Sequence, residues 1–139
     1  MATIKWATPS ALTSDLDTSG VLDSLADGST MSGITYSNSS NLDRYALITI
    51  KLGSFTPGSD PYLQLRVVFE DGDQEPEGSL CGDIYRLDVS SGTGSKVITF
   101  PMVALYPFEL YMYITNNTGA ALASSGNEVY LRPYNEAST

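Results

Sequence analysis

The chain has 139 residues, with 16 acidic and 7 basic side chains, a formal net charge of -9 and no histidine. This length suits a single domain whose core needs no disulfide or metal for stability. The acidic balance argues against binding to nucleic-acid phosphates or to anionic membrane surfaces, because both depend on Lys and Arg. The lack of histidine excludes Ser-His-Asp triads, Cys-His pairs and histidine zinc sites.

Neither a membrane span nor a signal peptide is indicated. The longest apolar runs are strand-sized, well short of the ~20 residues that cross a bilayer. Residues 1–6 lack the basic start and long apolar stretch of a signal peptide. We therefore expect a protein made in the cytoplasm, with no membrane partner. Cys81 is the one cysteine, so no internal disulfide forms, and we expect it to fill a small apolar space.

Residues 1–32 form a predicted N-terminal arm that is rich in Ser, Thr, Asp and Ala, with scattered apolar residues. Thr8 or Ser10 is suited to cap a short helix that runs towards Leu16. Each apolar patch is too short for a stable isolated helix, so an extended arm is the alternative. Two interpretations remain open. The arm either folds back over its own core or becomes ordered on a partner surface.

From residue 33 to 139 the apolar residues follow a period of two, which is typical of half-buried antiparallel strands. Turn residues such as Gly, Pro, Asn and Ser separate the runs. The predicted strands are 45–52, 62–69, 84–89, 96–100, 108–115 and 128–132. We predict an all-β domain, an antiparallel β-sandwich or jelly roll, preceded by the extended or short-helical arm.

Three tyrosines are predicted to point away from the core. Tyr111 and Tyr113 alternate with apolar residues along one strand, and Tyr130 does so on the last strand. Outward tyrosines are enriched at protein interfaces, because the ring is apolar and the hydroxyl is polar. The alternative is a second buried layer or ordinary aromatic pairing between neighbouring strands.

Residues 70–77 contain five acids. Every second residue from Asp71 to Glu75 is acidic, which is the spacing of calcium-loop ligands. An EF-hand that began at Asp71 would need Gly and Glu at its sixth and twelfth positions, where the chain has Pro76 and Gly82. We interpret the stretch as a solvated loop between strands. A looser calcium site and a catalytic carboxylate pair are the alternatives.

Two triplets match the N-glycosylation pattern, Asn38-Ser39-Ser40 and Asn116-Asn117-Thr118. N-linked glycans are added to exported proteins, and we expect no export of this chain. We therefore expect both matches to be coincidental.

Several stretches resemble small virion proteins of tailed bacteriophages, in order and over nearly the whole chain. They are the Lys5-Trp6 start, Leu25–Gly28, Ser39–Tyr45, residues 114–127 and Tyr130–Glu136. The resemblance implies a jelly-roll capsid cement or decoration protein. Such proteins sit as homotrimers on the outside of the head and clamp neighbouring major capsid proteins. The resemblance implies no enzyme activity and no cofactor, and it carries over no catalytic or metal-binding residue.

The resemblance implies a structural protein of the capsid exterior, assembled in the bacterial cytoplasm with the major capsid protein as its partner. We expect residues of the arm to dock on the shell or on a neighbouring subunit: Trp6, Leu12, Leu16 and Leu25. We expect contacts between subunits at Tyr111, Tyr113 and Tyr130. One alternative is a phage tail or fibre module that binds host-surface glycan by stacking on Tyr111. A third hypothesis is an enzyme that depends on calcium or on an acid pair.

Overall fold

A computed structural model of the protein describes residues 3–69 and 83–138, and within these ranges the chain forms nine β-strands and no helix. The strands are β1 (Ile4–Trp6), β2 (Thr30–Ser37), β3 (Tyr45–Phe55), β4 (Tyr62–Phe69), β5 (Asp83–Asp88), β6 (Gly94–Ala104), β7 (Glu109–Asn117), β8 (Glu128–Tyr134) and β9 (Glu136–Ser138). The predicted all-β class is confirmed.

The long strands form two antiparallel sheets, with the orders β2-β7-β4-β5 and β6-β3-β8. β1 and β9 pair separately as a two-stranded sheet. One hydrophobic core lies between the larger sheets and includes the fully buried Ile48 and Ile50 of β3 and Leu65 of β4. These residues are two apart along their strands because only every second side chain of a strand faces the core. The arrangement is the predicted antiparallel sandwich.

β6 is longer than the predicted strand 96–100 because it continues through an irregular stretch. Its pairing with β3 shifts register where Pro101 and Met102 lie opposite Leu47. Proline lacks the N–H that a sheet ladder needs, so a bulge on an edge strand is where it fits. The bulge lets β6 go on to Ala104, beyond the point where the sequence pattern breaks.

Residues 7–29 contain neither strand nor helix, and the predicted short helix towards Leu16 does not form. The segment first follows β8 and then reaches the end of β7, where Gly28 N–H donates to Asn116 O at 2.6 Å. Leu22 is fully buried in the core. The expected boundary between residues 32 and 33 falls inside β2, so the segment is continuous with the sandwich that it covers.

Candidate functional site

Residues 7–16 lie along the outer edge of β8. Every third N–H of this segment donates to every second carbonyl of the edge at 2.8 or 2.9 Å: Ala7 to Asn135, Ser10 to Pro133, Thr13 to Leu131 and Leu16 to Val129. In return, Leu131 N–H donates to Thr13 Oγ1 at 3.0 Å and Val129 N–H to Asp15 Oδ1 at 2.9 Å. Pro133 has no N–H. Every outward backbone group from Val129 to Pro133 is thus paired, which closes this sheet edge.

Three aspartates fasten the rest of the segment. The buried Asp17 carboxylate accepts hydrogen bonds from two backbone N–H groups of the following turn, at 2.8 and 3.2 Å. Asp23 Oδ1 accepts from Asn127 Nδ2 at 2.8 Å, and Asp27 Oδ1 accepts from Gly119 N–H at 2.8 Å. These three carboxylates therefore hold the segment in place within the fold, because ionised acceptors make the stronger hydrogen bonds.

The structure separates the four predicted docking residues into two pairs. Leu16 and Leu25 are partly buried and pack against the protein's own core. Leu12 and Trp6 are exposed, at 43% and 60% respectively. Residues 7–29 fold back over the protein's own core, which is the first of the two interpretations of the arm. Trp6 on β1 keeps a surface that a partner can reach.

Trp6 belongs to an aromatic platform, which we define as Trp6, Tyr45 and Tyr134. The Trp6 ring meets Tyr45 and Tyr134 edge-on, with ring centroids 5.8 and 5.5 Å apart, and the two tyrosines stack at 5.4 Å. Tyr134 O–H donates to Pro101 O at 2.9 Å, and burial raises the pKa of Tyr134. Ile4, two residues before Trp6, is 71% exposed. The platform is an ordered apolar surface at the β1–β9 pair.

Charged side chains border the aromatic platform. Glu136 of β9 lies opposite Trp6 in the β1–β9 ladder. Its carboxylate is 3.7 Å from Arg44 Nη1 and accepts a hydrogen bond from the Tyr45 hydroxyl at 3.4 Å. The Arg44 guanidinium also lies 5.6 Å from the centroid of the Tyr45 ring. An apolar centre with a polar rim is the usual composition of a protein interface.

The three predicted interface tyrosines do not share a surface. Tyr111 and Tyr113 lie on the outer face of the four-stranded sheet, because they alternate with the buried residues of β7. Tyr130 lies on the outer face of the three-stranded sheet, on the opposite side of the sandwich. Tyr113 neighbours Arg66 of β4, whose buried Nε has no hydrogen-bond partner among the described residues.

Tyr130 is held by charged neighbours. Its hydroxyl donates to Glu128 Oε2 at 2.5 Å, and Lys51 Nζ lies 5.1 Å from the ring centroid. The hydrogen bond to Glu128 is the main cause that raises the pKa of Tyr130 to about 12, with burial as the second. The bond to Glu128 runs along β8, and the contact with Lys51 crosses to β3, as in ordinary cross-strand pairing.

A polar pocket of about 480 Å³ opens to solvent between the N-terminal segment, β2, the loop from β2 to β3, and β8. We use the name polar pocket for the cavity lined by Ser10, Ala11, Thr13, Tyr36, Asn41, Asp43 and Pro133. Asp43 is buried, and Asn135 Nδ2 donates to its Oδ1 at 2.7 Å. Asn41 Nδ2 lies 3.5 Å from the Tyr36 hydroxyl, a long hydrogen bond that leaves both groups open to other partners.

Asp43 is fixed by the buried Asn38. Asn38 Oδ1 accepts from Asp43 N–H at 2.9 Å, and its Nδ2 donates to Asp43 O at 2.8 Å and to Tyr106 O at 2.9 Å. Leu42, just before Asp43, has a φ of 55°. Left-handed backbone is uncommon for a bulky residue and persists only where the surrounding structure enforces it.

The asparagines of the two apparent glycosylation triplets, Asn38 and Asn116, are fully buried. Asn116 Nδ2 donates to Leu25 O and Ala120 O at 2.8 Å, and its Oδ1 accepts from Thr118. Enzymes that add glycans cannot reach these amides in the folded chain. Sequence reasoning missed their role as clamps between distant segments, for which the only local signal is an Asn that starts a turn.

Residues 3–69 and 83–138 contain no group of three or more His, Cys, Asp or Glu that could hold a metal ion. The acidic stretch 70–77 and Cys81 lie outside the described residues. None of the described segments is a helix of the length and apolarity that crossing a membrane requires.

The described chain is an antiparallel β-sandwich, closed along one edge by its own N-terminal segment, with an aromatic platform and a polar pocket on its surface. Comparison with protein-family models, curated proteins and solved structures gives no match to this chain.

Proposed function

We propose that the protein is a structural virion protein of a tailed bacteriophage, a capsid cement protein that binds the outside of the head. The proposal begins from the sequence resemblance to such proteins. The observation that carries it further is the exposure of Ile4 and Trp6 on a strand whose backbone is fixed by pairing with β9. Large apolar side chains exposed on an ordered support are typical of binding surfaces.

The aromatic platform suits docking on a shell for two physical reasons. Trp6 offers a large apolar area, and tryptophan is enriched among residues whose truncation costs binding more than about 2 kcal/mol. Tyr45 and Tyr134 already hold its ring in the free protein, so little side-chain freedom is lost on binding. A shell presents many copies of the same site, so modest single contacts suffice to cover it when subunits bind as linked oligomers.

The proposed homotrimer makes use of tyrosines on opposite faces. In a cyclic trimer, each interface joins two different patches, one from each subunit. The reason is that a threefold rotation brings one patch of a subunit against a different patch of its neighbour. Tyr111 and Tyr113 would belong to one patch and Tyr130 to the other. The outer faces of the two sheets supply these patches.

The test uses heads that lack the decoration protein, incubated with purified protein and then sedimented. Trp6→Ala is expected to weaken binding at least about 30-fold, which corresponds to a hot-spot loss of about 2 kcal/mol. Val97→Ala is the matched control, since Val97 is exposed but lies on β6, away from the aromatic platform. Thermal melts of both variants check that the sandwich is intact.

Undiminished head binding by Trp6→Ala would contradict the assignment of the aromatic platform. Labelled antibody that marks tails and leaves heads bare would contradict the head location itself. Deleting residues 1–32 is a poor test, because it removes the cover of β8 together with Trp6.

A further inference from the structure

The polar pocket combines a concave space open to solvent with a mixed set of hydrogen-bonding groups. Its walls carry the hydroxyls of Ser10, Thr13 and Tyr36, the carboxamide of Asn41 and the carboxylate of Asp43. Ala11 and Pro133 supply the apolar part of the lining. At about 480 Å³ it falls within the size range of small-molecule sites. Five of its seven lining side chains are polar, so a ligand rich in hydrogen-bonding groups fits the pocket better than an apolar one.

Asp43 is positioned before any ligand arrives. Asn38 holds its backbone on both sides, and Asn135 fixes one carboxylate oxygen. Asn135 is itself held, because its Oδ1 accepts from Arg44 N–H at 2.7 Å. A carboxylate that is buried and supported in this way accepts hydrogen bonds from a ligand with little reorganisation.

From these observations we infer that the polar pocket binds a neutral saccharide, a function separate from the proposed binding to the head. The carboxylate of Asp43 accepts hydrogen bonds only, whereas the Asn41 amide and the neighbouring hydroxyls both donate and accept. Adjacent hydroxyls of a sugar both donate and accept, so they match this set. The apolar faces of Ala11 and Pro133 suit the C–H side of a sugar ring.

The charge of the lining argues against the other classes of ligand. An anionic sugar or a phosphate would meet the Asp43 carboxylate and a chain of net charge -9, with no Lys or Arg in the lining. A divalent metal ion favours several carboxylate oxygens, and the lining supplies a single carboxylate. An ammonium ligand is best held by an aromatic cage or a second acid. Four of the five polar lining side chains are neutral.

The test is a chemical-shift titration of the isotope-labelled full chain, in the presence of EDTA, with glucose, galactose, mannose, N-acetylglucosamine, maltose and lactose. At least one of these sugars is expected to bind saturably with a Kd near about 1 mM, since the pocket is open and offers few contacts. The shifts are expected at residues around the polar pocket, including Asn41.

Two variants and a control locate the site. Asn41→Ala and Asp43→Asn are each expected to raise the Kd at least about tenfold, the loss expected for a hydrogen bond to an amide or a carboxylate. Asp43→Asn keeps a side-chain oxygen that accepts the hydrogen bond from Asn135 Nδ2, so it preserves the loop between β2 and β3. Ser40→Ala, next to Asn41 but outside the lining, is expected to leave the Kd unchanged.

Absence of saturable binding by all six sugars would overturn the inference. Equal binding by Asn41→Ala and the intact protein would do the same. Glucuronate or methylammonium that binds the pocket more tightly than any neutral sugar would also overturn it. None of these outcomes bears on head binding, which Trp6→Ala tests separately.

Discussion

The two long sides of the sandwich end in different ways. On one side the edge strands β2 and β8 are bridged by residues 7–29, which bond to the β8 backbone and send Leu22 into the core. On the other side β5 and β6 are edge strands, and the Tyr85 and Phe100 rings meet across the gap at 4.4 Å. Val97 on β6 is 68% exposed.

The difference shows two solutions to the same problem. An unpaired strand edge invites pairing with another chain, so proteins cover it or interrupt it. The β8 edge is covered by the protein's own backbone, whereas β6 is interrupted by the bulge at Pro101. The covered side depends on the N-terminal segment for its stability, and the interrupted side should depend little on any one exposed residue.

Removing residues 1–29 should have the largest effect. The truncated chain loses the cover of β8 and the buried Leu22, and a domain of this size has only about 5–15 kcal/mol of stability to lose. We expect aggregation or loss of a cooperative melt, measured by circular dichroism and size-exclusion chromatography. Removing residues 1–6 is the control, since it spares residues 7–29, and it should leave a folded protein that melts cooperatively. A soluble, cooperatively melting fragment 30–139 would contradict the role of the segment.

A matched leucine pair within the segment should give the next largest difference. Leu22→Ala is expected to lower the free energy of unfolding by about 2–5 kcal/mol, because it empties a fully buried site. Leu12→Ala, at an exposed position, should cost less than about 1 kcal/mol. Urea denaturation of both variants measures the difference. Equal losses would mean that the segment does not contribute to the core.

Substitutions of two valines in the three-stranded sheet, one on β8 and one on β6, compare the covered side with the interrupted side directly. Val129→Thr places a hydroxyl in the core beneath β8 and should cost about 1–3 kcal/mol of unfolding free energy. Val97→Thr on the exposed face of β6 should stay within about 0.5 kcal/mol. The same urea series measures both. A large loss for Val97→Thr would show that the β6 edge is more critical than its exposure indicates.

The smallest effect concerns Tyr130 and alkaline pH. The bond to Glu128 raises the pKa of Tyr130 from the ordinary value of 10.0 to about 12, so folding favours the neutral phenol. Its contribution to stability is therefore fully present below about pH 10 and is lost as the pH rises through about 12. The pKa of Tyr134 is also raised, so ultraviolet titration should show late ionisation, of which the component near pH 12 disappears in Tyr130→Phe. Ionisation of Tyr130 near pH 10 would contradict the role of Glu128.

The sequence pattern predicts the strands because their signal is local. The run 62–69 coincides with β4, and alternate burial follows the pattern along β7 and β8. The capping residues Thr8 and Ser10 favour a short helix towards Leu16, with an extended arm as the alternative. The backbone of residues 7–16 instead follows β8, more than a hundred residues later in the chain, and no local pattern encodes such a pairing.

The candidate sites were only partly predictable for the same reason. Trp6 is conspicuous in the sequence as an early aromatic residue, but Tyr45 and Tyr134 join it only after folding. Asp43 looks like one acid among 16 until Asn38 and Asn135 fix it. Side-chain alternation predicts which face a residue occupies. It does not predict which residues from other segments will meet it there.

The pairing of residues 7–16 with β8 also has a consequence in time. Synthesis begins at the N-terminus, so this segment leaves the ribosome long before its partner strand exists. The pairing of residues 7–16 must wait for residues 129–135, whatever the earlier strands have done by then. During that interval the nascent chain carries an unpaired segment and an open core, the period in which a chaperone would have most to protect.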